Sequence, residues 1–175
     1  MESRSASLTA PEERSPARLK RARLGRRTGI SLLVLFVGAG LLNFFGSHSA
    51  ITSSGHDGVT LTVAYPNRTR PALPIRWSAE VTSDGGWSGP VHIAVNQSYF
   101  KDFDFNNFSP PPDSTENRGD LVIFTFARPS TDTLKVLFDG RTQPGRFGIA
   151  DAQTKILDDD GSSLVEVDYT TEVFP

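Results

Sequence analysis

The sequence predicts an all-β sandwich of about seven strands, preceded by one transmembrane helix. Three observations carry this expectation. An uncharged run of eighteen residues, 28–45, follows an arginine-rich segment. From residue 58 onward apolar residues recur with period two, in short runs broken by Gly, Pro, Asp and Asn. That region holds no amphipathic stretch of ten or more residues, so the crossover helices of a βαβ arrangement cannot be placed.

The 175 residues allow one compact domain with accessory segments. Cysteine is absent, which excludes disulfides, thiolate metal sites and a catalytic thiol. The net charge of -2 averages two opposed regions. Residues 1–27 carry eight Arg or Lys against three Glu, and residues 28–175 carry ten against seventeen acids. Such asymmetry points to a chain with two environments.

Residues 1–27 have almost no large apolar side chains before Leu19, so they are expected to form a disordered basic tail. Residues 19–27 could extend the following helix. Arg14, Arg18, Lys20, Arg21, Arg23, Arg26 and Arg27 form a cluster just before the apolar run. As a helix, 28–45 would span roughly 27 Å, close to a hydrocarbon core of ~30 Å. No further Arg or Lys occurs before Arg68. The positive-inside rule then places the N-terminus in the cytoplasm and residues 58–175 outside the plasma membrane, as a single-pass protein. Lipid is the expected partner of 28–45, and the basic cluster suits anionic headgroups. A cleaved signal peptide is the structural alternative, although its apolar stretch is usually only ~7–15 residues.

Residues 46–57 read as a flexible polar linker containing His48 and His56. Strands are then expected at 59–65, with Pro66 closing the run, and at 75–81, 91–95, 121–126, 133–138, 146–150 and 164–169. Asp84-Gly85-Gly86 is a turn between the second and third. In strand number and spacing this region resembles immunoglobulin-like and fibronectin-like β-sandwiches, without the cysteine pair of true immunoglobulin domains. The resemblance is architectural and implies no particular activity.

The most unusual local sequence is 98–112, SYFKDFDFNNFSPPP. Tyr99, Phe100, Phe103, Phe105 and Phe108 are either partner-binding aromatics or rings that fill the core from a long connection between sheets. Trp77 falls on the apolar face of its strand, as packing residues do. Asp158-Asp159-Asp160-Gly161 lacks the spaced carboxylates of a calcium loop and reads as a solvated hairpin turn. Glu80, Glu166 and Asp168 are the carboxylates a glycosidase pair would draw on, but no spacing selects them. No GxSxG motif occurs, and no catalytic residue, metal ligand or cofactor is assigned.

The sequence therefore points to a membrane-anchored, non-enzymatic accessory or interaction protein of the cell envelope, bound to another envelope or membrane protein. A carbohydrate- or polymer-binding module and an envelope hydrolase are the alternatives. The acidic outer region argues against nucleic acid as a ligand.

Overall fold

The computed structural model describes residues 16–42 and 46–175. The chain divides into two units, 1–45 and 46–175.

In the first unit, helix α1 covers Pro16–Leu41. The helical extension expected at 19–27 is present and begins at Pro16, so 16–27 are helical rather than a disordered tail; residues 1–15, Arg14 among them, lie outside the described residues. Ala, Arg, Lys and Leu are good helix formers, and Pro16 suits a first helical position. The helix contains an apolar span at Arg23–Leu41, none of it buried. Residues 43–45 of the expected span also lie outside the described residues.

The second unit is all-β, with ten strands among the described residues rather than seven. They are β1 (His48–His56), β2 (Val59–Thr69), β3 (Pro74–Ser83), β4 (Val91–Asn96), β5 (Phe103–Ser109), β6 (Ser114–Arg118), β7 (Leu121–Phe126), β8 (Thr133–Thr142), β9 (Gly148–Leu157) and β10 (Ser163–Val173). A six-residue helix, α2 (Gln97–Asp102), joins β4 to β5.

The pairing gives two five-stranded layers, β1-β2-β3-β8-β5 and β10-β9-β4-β7-β6. They join where β10 runs parallel to β2, Glu172 opposite Arg68 and Val173 opposite Thr69. The sheet curls so that its halves face each other: the Phe124 ring of β7 lies 5.1 Å from that of Phe138 on β8. Inward positions alternate along each strand, as in Ile75, Trp77, Ala79 and Val81 of β3 and Val165, Val167, Tyr169 and Val173 of β10.

The expected linker 46–57 is corrected. Residues 48–56 form β1, antiparallel to β2. Asp57 and Gly58 both have positive φ, 48° and 76°, as a two-residue type I′ hairpin turn requires. β2 continues past Pro66 to Thr69, and β9 begins two residues later than expected and runs to Leu157. β5 carries a bulge between Phe105 and Asn107, which pair with Gly140 and Asp139. The extra residue lets Phe105 and Phe108, three apart, both pack on the core.

Candidate functional site

The aromatic segment builds the interior. Tyr99 and Phe103 are each 1% exposed, and Phe100, Phe105 and Phe108 are half-buried against the core. Phe138 gathers them: its ring centroid lies 4.6 Å from Phe108, 4.8 Å from Trp77 and 6.0 Å from Phe100. The reading of these five as an exposed partner-binding patch is therefore replaced by a packing role. Each aromatic ring buries a large apolar area, which helps a sandwich without disulfides form its core.

A polar network threads this core. Trp77 Nε1 donates to Tyr169 Oη at 2.7 Å, and Tyr169 Oη lies 3.0 Å from Thr154 Oγ1. Thr171 Oγ1 donates to the Pro66 carbonyl at 2.6 Å, so the 3.0 Å contact between Tyr99 Oη and Thr171 Oγ1 has the phenol as donor. Burial pushes the Tyr99 and Tyr169 hydroxyls well above the ordinary phenol range. Neither is a proton-transfer group near neutral pH.

The carboxylates do not converge. Glu80 lies on β3 and pairs with Lys135 at 3.3 Å, on the outer face of one layer. Glu166 and Asp168 lie on β10 in the other layer, facing Lys155 at 3.0 Å and Gln153 at 2.8 Å. The core therefore separates Glu80 from the other two. Gln153 and Asp168 line an open depression of about 470 Å³ with Asn96, Asp151 and Thr170.

His92 sits in a smaller depression of about 110 Å³ with Glu116, Arg118, Thr125 and Asp159. Its Nδ1 is 3.0 Å from Thr125 Oγ1 and its Nε2 is 3.5 Å from Asp159 Oδ1. The Asp158-Asp159-Asp160 segment is a turn closed by Asp158 N–H to the Ser162 carbonyl at 2.9 Å. The Asp160 carboxylate accepts from Ser162 N–H, which holds its pKa below the usual range. Among the described residues no group of three or more His, Asp or Glu could hold a metal ion. His48 and His56 stand at opposite ends of β1.

Of the basic cluster, Arg21, Arg23, Arg26 and Arg27 are exposed on α1; Arg18 and Lys20 lie on the same helix. Sequence reasoning missed β1, which among the described residues pairs with β2 alone. The closing pair His56–Val59 fixes the alternation, so Ala50, Thr52 and Ser54 bond to β2 while Ile51, Ser53 and Gly55 turn their backbone groups away from it. The Asp57-Gly58 dipeptide was the signal that could have revealed this hairpin.

No protein-family model and no curated protein matches the chain. Among solved structures, it is similar to the CARDB domain of a Pyrococcus furiosus protein in complex with di-metal ions, at 12% identity over 70% of this chain and 97% of that one, TM-score 0.43. It is similar to a non-cellulosomal cohesin from Archaeoglobus fulgidus at 12% identity, over 73% and 91%, TM-score 0.37. A cohesin from a Clostridium thermocellum cohesin–dockerin complex gives 8%, over 61% and 89%, TM-score 0.34. All three TM-scores lie below 0.5, so no function passes from these domains to this chain.

Proposed function

We propose that this is a single-pass membrane protein whose β-sandwich, of the immunoglobulin-like or fibronectin-like class, lies on the extracytoplasmic side and binds another envelope protein, with no catalytic role. The observation that carries the reading is α1: its apolar span Arg23–Leu41 is not buried, and the exposed Arg21, Arg23, Arg26 and Arg27 all stand at its N-terminal end.

The open edge of β1 is the element suited to a protein partner. Its sequence, HSAITSSGH, has no Lys, Arg, Asp, Glu or Pro to block strand addition. An extended segment of a partner could bond to Ile51, Ser53 and Gly55. Tethering in the membrane raises the effective concentration of such a contact. Trp77 is buried and offers no stacking face for a glycan, while Trp87 is half-buried against the core, which leaves the carbohydrate-binding alternative with less support.

The test is crosslinking and mild-detergent capture of the full-length chain from its native membrane, beside a Ser53→Pro variant. Proline at 53 removes an outward N–H and leaves the bonds to β2 intact. Recovery of a stoichiometric membrane protein by the wild type and its loss in the variant is the expected result. Extraction of the chain from membranes by alkaline carbonate would overturn the anchor.

A further inference from the structure

We infer that the end of the sandwich at which the chain enters it rests on the lipid–water interface of the bilayer. This rests on the membrane-anchored reading.

Within 46–175, the exposed large apolar residues among those described are Ile51, Leu73, Phe147 and Ile149. Their positions follow from the pairing. β1 starts at His48, opposite Arg68 near the end of β2. The same end of the sandwich holds the 70–73 loop, whose Ala72 N–H bonds to the Thr142 carbonyl at the end of β8. It also holds the start of β9, where Gly148 and Ile149 face Val173 and Glu172. Leu73, Phe147 and Ile149 thus share the end where the chain enters, and Ile51 lies three residues up β1. Exposed apolar side chains scattered singly need no explanation; here three share one end of the sandwich.

The conformation of the tip is held by Arg146. Its guanidinium donates to the carbonyls of Phe147 and Ile149, the latter at 2.6 Å, and its Nε lies 2.8 Å from Asp102 Oδ1 without hydrogen-bond alignment. Phe147 and Ile149 remain 50% and 62% exposed on this braced loop.

Two observations select lipid as the occupant. Six residues, 42–47, separate the last residue of α1 from His48, and at ~3.5 Å each they reach roughly 21 Å. An anchored helix therefore keeps this end near the bilayer. Charge differs between the ends: at the first, Arg70 and Arg146 stand beside two acids, Asp102, which pairs with Arg146, and Glu172, which faces Ile149. The turns at the other end carry Asp57, Asp84, Asp132, Asp158, Asp159 and Asp160 against Arg128. An anionic leaflet repels the second end more than the first.

The absence of native cysteine makes the test direct. The full-length chain, as Phe147→Cys or Gly85→Cys, is labelled with an environment-sensitive fluorophore and reconstituted in nanodiscs of phosphatidylcholine and phosphatidylglycerol. Gly85 is in the turn at the opposite end, with open space around it. A blue shift and quenching by headgroup-labelled lipid at 147, with neither at 85, is the expected result. Aqueous emission at 147 from a chain that co-elutes with the disc would overturn this inference and leave the anchor standing. A blue shift at 147 without lipid quenching would assign the surface to a protein contact instead. Failure to enter the disc would overturn both.

Discussion

Trp77 Nε1 and Tyr169 Oη are joined by a 2.7 Å hydrogen bond across the two layers, from β3 to β10. Both side chains are buried, so the indole donor has no access to water. Tyr169→Phe keeps the ring and removes the acceptor. The expected loss is about 1–3 kcal/mol, the cost of an unsatisfied buried donor. Denaturant unfolding of the full-length chain, followed by tryptophan fluorescence, measures it.

Alkaline pH should unfold the domain through the same hydroxyl. The folded state holds the Tyr169 proton well above the ordinary value of 10.0, and Tyr99 behaves likewise. Above pH ~10 the unfolded chain has released these protons while the folded chain retains them. Stability is therefore present below that pH and falls by about 1.4 kcal/mol per pH unit for each tyrosine as pH rises toward the folded values. Stability curves for wild type and Tyr169→Phe should converge in this window; parallel curves would count against it.

Gly140 lies beneath the β5 bulge. A Cβ there would stand 2.5 Å from the Asp104 carbonyl oxygen and 2.9 Å from Phe105 Cα. Backbone cannot swing aside as a flexible side chain does, so Gly140→Ala should push β5 from β8. A destabilisation of roughly 1–3 kcal/mol is expected, readable as a lower denaturant midpoint.

Phe138→Ala should cost about 3–5 kcal/mol, because the ring is fully buried and its neighbours cannot close the cavity. Near-UV circular dichroism should also lose intensity, since Trp77 stacks on this ring at 4.8 Å. A change below ~1 kcal/mol would show that the aromatic cluster relaxes into the space.

Much of the fold was legible because strand periodicity is local. The alternation at 75–81 and 91–95 reads directly from the residues, and β3 and β4 stand there. β1 was not legible, since its inward positions are Ala50, Thr52 and Ser54, too small and polar to mark an apolar face. β5 was hidden by its bulge, which breaks the period of two that sequence reading relies on. β6, with sequence STENR, is exposed throughout and has no apolar face at all.

By itself the sequence determined an apolar helix beside a basic segment, an all-β remainder and its principal turns, because each depends on residues adjacent in the chain. Only the tertiary structure decided that Tyr99, Phe103 and Phe138 share one interior, and that Glu80 is parted from Glu166 and Asp168. It alone brought Leu73, Phe147 and Ile149 to a common end. These relationships arise from pairing between residues distant in sequence, where the burial of one layer against the other selects the partners.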